Sequence, residues 1–302
     1  MPAGSALSLG SVLQYVVLGV LAYVLAGAPL LSVLTGSPEG RAGRDSYGAW
    51  VPPALSGDKA AALVVPERNL SCEAHALRGV HVLSREPLVV YVEGFLSEDE
   101  VREVVDVSEP HFHPSTVWTS GHERLDPTVR LSHKAAVPRT HTVRCIEERA
   151  RAFQGWRPYV FVEKLWAQKY GPGGHYAYHY DWGTATRGAG RISSFMVWLG
   201  DECEGGGTRF PRLERPVDEA WCRFIECEEE GKKSGVTFKP VKGNAVYWEN
   251  MKPDGTGYEE SWHAGLPVTS GTKIGLNIWS WLQEGYDPYA SQESAEKKTQ
   301  EA

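Results

Sequence analysis

Over residues 159–282 the chain is written in short β-branched and aromatic runs separated by Gly, Pro and Asp. A sequence of that kind folds as a double antiparallel sheet of jelly-roll type, a double-stranded β-helix whose mouth can hold a site. Within each strand, side chains alternate faces, so residues two apart project together. Two helices ahead of this region are expected to brace one of the sheets. Ser97 can cap the first, with Glu100 three residues on completing a capping box and Val101 and Val104 opening its apolar face. From about Thr142 a second helix is indicated by Val143, Ile146, Ala150 and Phe153 at helical spacing. A strand at 88–91 leads into the first helix.

With 302 residues, 42% hydrophobic and 11% aromatic, the chain can bury one sizeable core with short appendages. That core is expected at 84–285. A net charge of -7 and a pI near 5.8 argue against a nucleic-acid partner, which needs a basic footprint. Residues 2–38 carry no charged side chain, and the apolar stretch 12–34 forms a helix of about 34 Å, long enough to cross a hydrocarbon layer of roughly 30 Å. A signal anchor at 1–35 is preferred over a cleaved signal peptide, because Pro29 directly follows the small-residue site Ala26-Gly27-Ala28. Residues 36–83 are rich in Gly, Pro, Ser and Ala and read as a stem, and 286–302 as a disordered polar tail. Arg41 and Arg44 after the span argue for a cytosolic domain, whereas the sequon Asn69-Leu70-Ser71 can be glycosylated only on the lumenal side.

Within Tyr176-Ala177-Tyr178-His179-Tyr180-Asp181, His179 and Asp181 are two residues apart, so an extended strand presents both to one ion. His263 would supply a third ligand from another strand. Two histidines and one carboxylate on one face of an octahedron leave three positions open, which suits a non-haem Fe(II) centre that activates O2. Taken alone, the pair is weak among ten histidines and 38 acids. Its surroundings strengthen it. Lys169-Tyr170-Gly171-Pro172-Gly173-Gly174 precedes the pair, and His263-Ala264-Gly265-Leu266-Pro267-Val268 leads to Lys273 ten residues after the histidine.

With Phe95-Leu96-Ser97, Arg130-Leu131-Ser132, the run Gly205-Gly206-Gly207-Thr208-Arg209-Phe210-Pro211 and Pro253-Asp254-Gly255-Thr256, these segments make residues 85–282 resemble the catalytic domain of the prolyl 4-hydroxylase family of 2-oxoglutarate-dependent dioxygenases. The resemblance implies His179, Asp181 and His263 as iron ligands and Lys273 as the partner of the distal carboxylate of 2-oxoglutarate. It makes Tyr170 a second contact to that carboxylate. Trp198 stands at a co-substrate position where many relatives carry tyrosine, and it brings no phenolic hydroxyl. Tyr176, Arg191 and Trp279 correspond to positions lining the substrate mouth. Further implications are hydroxylation of peptidyl proline with release of succinate, L-ascorbate as rescuer of oxidised iron, and a type II location in the endoplasmic reticulum or Golgi lumen. Gly207 and Leu266 depart from the family pattern without touching the metal. Retention of Asp181 favours hydroxylation over halogenation.

Cys72, Cys145, Cys203, Cys222 and Cys227 suit an oxidising compartment and leave one cysteine unpaired. A disulfide between Cys222 and Cys227 is one way to fasten the insertion at 212–235, and zinc there lacks a second Cys or His pair. The glycines at 205–207 read as turn residues, since no Gly-Lys-Ser/Thr follows. Two rival functions stand beside the hydroxylase: a tailoring oxygenase for a free amino acid or small peptide metabolite, and a non-catalytic lumenal binding module.

Overall fold

The computed structural model describes residues 43–44, 50–51, 55–119, 122–183, 185–227 and 235–289. The proposed anchor at 1–35 and residues 290–302 of the tail read at 286–302 lie outside the described residues, whereas the start of that tail is packed, with Tyr286 against Phe161 and the Tyr289 hydroxyl donating to Pro66 O. Among the described residues, no helix is long and apolar enough to cross a membrane.

Helix α1 spans Gly57–Ala62, α2 Glu98–Ser108 and α3 His141–Phe153. The strands that matter for the site are β1 Gly79–Arg85, β2 Leu88–Glu93, β3 His113–Pro114, β4 Arg130–Leu131, β5 His133–Ala136, β6 Val160–Val162, β7 Trp166–Tyr170 and β8 His175–His179. After them come β9 Ala189–Gly200, β10 Cys203–Gly205, β11 Thr208–Phe210, β12 Val236–Phe238, β13 Ala245–Glu249, β14 His263–Gly265, β15 Val268–Gly271 and β16 Lys273–Gln283. A nine-stranded major sheet runs β1-β2-β13-β9-β16-β7-β5-β3, with β6 also paired to β16, and a five-stranded minor sheet runs β12-β11-β14-β8-β4. Every pairing in both sheets is antiparallel. The mainly β, antiparallel architecture with few helices agrees with the jelly-roll expectation.

Alternation along the strands decides which side chain goes where. On β9, Phe195, Val197 and Leu199 face α2 and α3, where they join Phe95, Val101, Val104, Val143, Ile146 and Ala150 in one buried cluster. Trp198 of β9 joins a second cluster with Tyr91, Val246 and Trp248 of the major sheet and Phe210, Val236 and Phe238 of the minor sheet. The minor sheet therefore packs on the opposite face of the major one from the helices, and the site lies between the two sheets.

Both bracing helices begin as the sequence indicates. Ser97 Oγ accepts from the Glu100 amide at 3.2 Å while Glu100 Oε2 accepts from the Ser97 amide at 2.8 Å, a complete capping box. Thr140 caps α3 by accepting from Val143 N. Arg149 of α3 reaches Glu100 at 2.6 Å and ties the two helices together.

The segment read from the sequence as part of a stem is packed where it is described. Leu63 and Val64 are buried, and a disulfide joins Cys72 to Cys145 of α3. Gly, Pro, Ser and Ala carry no strong periodicity, so composition does not disclose this docking. The insertion at 212–235 is bridged by Cys222–Cys227, which leaves Cys203 as the free thiol.

Candidate active site

His179 is the last residue of β8 and His263 the first of β14, and the two are register partners across the minor sheet. Antiparallel pairing thus brings together imidazoles 84 positions apart in sequence, with ring centroids 4.3 Å from each other. Asp181 differs from the sequence expectation: β8 stops at His179, and the carboxylate comes from the turn that follows. It still reaches the same place, with Oδ1 lying 3.7 Å from His179 Nε2. One donor atom from each of the three residues lies within 4.8 Å of the others.

Each donor is oriented by a partner behind it. His179 Nδ1–H donates to Ala177 O at 2.8 Å, and His263 Nδ1–H donates to Ser261 O at 2.8 Å, which leaves both Nε2 lone pairs for an ion. The His263 ring is also walled by Phe210 and Trp248, at centroid distances of 5.2 and 4.9 Å. Asp181 Oδ2 accepts from Ser194 Oγ at 2.6 Å and from the Trp279 indole N–H at 3.1 Å, so Oδ1 is the oxygen left to ligate. Ser194 in turn accepts from Asn250 Nδ2 at 2.8 Å.

The electrostatics match a cation. Burial, followed by the neighbouring His263, pushes the His179 imidazole well below its ordinary range and keeps it neutral. Burial alone would raise the Asp181 carboxyl, but His263, His179, Arg191 and the Ser194 hydroxyl together hold it below the ordinary value. Two imidazole nitrogens and a carboxylate oxygen are the donor set that suits non-haem Fe(II) with open positions.

Lys273, the first residue of β16, is 2% exposed, and among the described residues its ammonium meets no carboxylate. It donates to the Gly206 carbonyl and stands 5.4 Å over the ring of Tyr170, its register partner on β7. Burial lowers it to about 8, only partly countered by Cys203. A buried ammonium without a counter-charge is costly, and a dicarboxylate such as 2-oxoglutarate supplies what is missing. Among the described residues, the other buried donors without a partner include Trp198 Nε1, on the strand beside β16, and Thr208 Oγ1, two residues beyond Gly206. Trp198 has no phenol, yet its free N–H keeps a donor at that position. Gly206 adopts φ +68°, and a Cβ there would come within 3.2 Å of Lys273 Cδ, so the approach of this backbone to the lysine depends on glycine.

The three residues expected at the mouth fall into different roles. Tyr176 stacks on His179 with centroids 3.8 Å apart and lies under the Arg130 guanidinium at 4.6 Å. Arg191 is paired with the buried Glu163, Nε to Oε1 at 2.7 Å and Nη2 to Oε2 at 3.0 Å, and covers the Trp279 ring at 3.9 Å. Trp279 does more than line the mouth, since its N–H holds a candidate metal ligand. Tyr170 directs its hydroxyl to Gln168 Oε1 at 3.0 Å. Sequence reasoning missed Ser194, Asn250 and Glu163. For Ser194 a signal existed: a Ser-Ser pair set between Ile192 and the apolar run at 195–199.

A jelly-roll sandwich with a two-histidine, one-carboxylate cluster between its sheets defines a non-haem iron oxygenase, and the family model described as 2OG-Fe(II) oxygenase superfamily matches residues 165–281. Similar proteins narrow this class. "Probable prolyl 4-hydroxylase 10" of Arabidopsis thaliana is 31% identical over 218 residues, covering 68% of this chain and 73% of that one. "Prolyl 4-hydroxylase subunit alpha-3" of Homo sapiens is 28% identical, covering 66% of this chain and 34% of that one. A solved viral collagen prolyl hydroxylase from Paramecium bursaria Chlorella virus-1, in complex with 2OG, is similar at a TM-score of 0.48 and 24% identity, covering 64% of this chain and 96% of that one. The chain belongs to the prolyl 4-hydroxylase family of 2-oxoglutarate-dependent dioxygenases.

Proposed function

We propose that this chain hydroxylates peptidyl proline, with His179, Asp181 and His263 holding Fe(II) and Lys273 holding the far carboxylate of 2-oxoglutarate. The observation that carries the reading is the pairing of an oriented three-donor cluster with a buried ammonium that lacks an anion. When bound, iron and 2-oxoglutarate supply the oxidising power drawn from O2, with succinate and carbon dioxide as co-products. The chain's own residues bind, orient and exclude. Ser194 and Trp279 keep Asp181 turned so that one oxygen ligates. Tyr170, Trp198 and Thr208 wall the lysine end against water. Tyr176, Arg191 and the Trp279 ring shape the mouth that fixes the target carbon.

The relatives named prolyl 4-hydroxylase favour a proline-containing peptide over a free amino acid or small peptide metabolite. L-ascorbate serves to restore iron oxidised in uncoupled turnover. A lumenal location in the endoplasmic reticulum or Golgi, anchored through residues 12–34, accords with the disulfides Cys72–Cys145 and Cys222–Cys227 and with an exposed Asn69 in a turn.

The test supplies purified protein with Fe(II), 2-oxoglutarate, ascorbate and either proline-rich peptides or free proline. One oxygen atom added to peptide proline, with matching succinate, is the expected result. His179→Ala and His263→Ala abolish both. Normal turnover by either variant refutes the ligand assignment, and peptide inertness with turnover of free proline refutes the substrate class.

A further inference from the structure

The segment ahead of the sheets brings a charge to the mouth. After α1 the backbone pairs with the end of β6: Val64 N donates to Val162 O at 2.7 Å, Lys164 N donates to Ala62 O at 2.8 Å, and Leu63 bridges Glu163. Ion pairs from Glu67 to Arg139 and Arg144, together with the disulfide Cys72–Cys145, fasten the residues that follow. Thus held, Lys59 of α1 reaches inward. Its ammonium lies 3.0 Å from Glu163 Oε2 and 3.8 Å over the ring of Trp281.

Glu163 is therefore one carboxylate shared by two cations. Arg191 already engages both of its oxygens, so charge compensation of this buried acid does not need a second partner. What Lys59 adds is position. It contacts the same Oε2 that Arg191 Nη2 engages, and it lies over the Trp281 ring. Arg191 then stacks on Trp279, whose N–H bonds Asp181, so the contacts run unbroken from a helix outside the sheets to a candidate metal ligand.

We infer that Lys59 is a positioning residue of the substrate mouth: by sharing Glu163 with Arg191, it sets where the guanidinium and the two indole rings stand against the acceptor. This rests on the peptidyl-proline reading for its substrate. It also means that the segment at 57–64 belongs to the enzyme's working surface.

The experiment compares the full chain with Lys59→Met, which keeps the length and loses the charge, and Lys59→Arg, which keeps the charge. Lys59→Met raises KM for a proline-rich peptide about fivefold, the size expected of one partly exposed ion pair. KM for 2-oxoglutarate, peptide-independent decarboxylation and the thermal midpoint stay unchanged, and Lys59→Arg restores most of the peptide KM. In the metal-free protein, the indole N–H resonance of Trp279, which Lys59 does not touch, moves in Lys59→Met and returns in Lys59→Arg. An unchanged peptide KM with a stationary Trp279 resonance overturns the inference. So does a rise in both KM values together with a falling midpoint, which marks a purely structural lysine. If the unaltered protein hydroxylates no peptide, the substrate reading fails, and the Trp279 resonance still decides the role of Lys59.

Discussion

The two faces of the major sheet are built from alternate residues of the same strands, yet they are finished to different standards. Toward α2 and α3, β9 presents Phe195, Val197 and Leu199 and β16 presents Leu276 and Ile278, all buried. The serines that the two strands present on that side are paired: Ser193 donates to Gln154 Oε1 at 2.6 Å, and Gln154 Nε2 donates to Ser280 Oγ at 2.9 Å, while Ser108 Oγ at the end of α2 is left without a partner. Toward the minor sheet, the same two strands present Trp198 with an N–H and Lys273 with an ammonium that find, among the described residues, no hydrogen-bond partner and no counter-charge respectively. Buried polar groups are normally satisfied, so the second face is incomplete as a core and complete only as a receptor. The helix face supplies stability; the inner face spends some of it on binding.

The sharpest way to break that comparison is to cut into the helix face. Phe195 is fully buried and packs against Phe95 and Tyr247, with ring centroids at 5.2 and 4.8 Å. Phe195→Ala removes about 3–5 kcal/mol of stability through lost burial and the cavity left behind. Denaturant unfolding measures the loss, while KM for 2-oxoglutarate below the transition stays as it was. A selective rise in that KM without loss of stability would show that the two faces are not divided in this way.

Lys273→Met probes the inner face and has the opposite sign. Removing a buried, uncompensated ammonium leaves the metal-free protein as stable or more stable, by ~1–3 kcal/mol, and raises KM for 2-oxoglutarate about a hundredfold. The pH dependence follows from the same burial. Because the folded-state value of Lys273 is lowered to about 8 from 10.5, the unfolded chain binds more protons between those values, and the lysine's contribution makes stability rise with pH across that window. Binding of the dicarboxylate needs the protonated form, so KM rises by up to about tenfold per pH unit above about 8. In Lys273→Met, both slopes vanish. A variant that loses stability, or keeps a normal KM, shows a structural lysine and removes the co-substrate assignment.

The distribution of what was legible in the sequence follows the same division. Periodicity and capping identify α2 and α3, because Ser97, Glu100, Val101 and Val143 act through neighbours three or four residues away. His179, Asp181, His263 and Lys273 stand out through their spacing joined to the family resemblance of the segments around them, although Asp181 works from a turn and not from the strand. Alternation tells which face a residue takes and not whom it meets there. Glu163 joins Lys59 and Arg191 only because the end of β6, the start of β9 and an outer helix converge, and no local pattern encodes that meeting. The family resemblance sets Trp279 at the mouth, whereas the direction of its N–H depends on where the turn after β8 sets Asp181.

Trp279 therefore gives the finest test of the inner face, because it separates a wall from an orienting donor. Trp279→Phe keeps an aromatic ring under Arg191 and deletes the hydrogen bond to Asp181 Oδ2, while Ser194 still holds that oxygen. One of two orienting bonds is lost, so the carboxylate can rotate and offer its second oxygen. Partners behind a metal ligand are worth 10–100-fold in affinity, and with Ser194 intact the lower end applies, about tenfold weaker iron binding. Competition with a chelator reads this directly, without turnover. At saturating iron, kcat and the unfolding midpoint stay close to the original. If iron affinity is unchanged and only peptide KM rises, Trp279 is a wall of the mouth, and Ser194 alone sets the carboxylate.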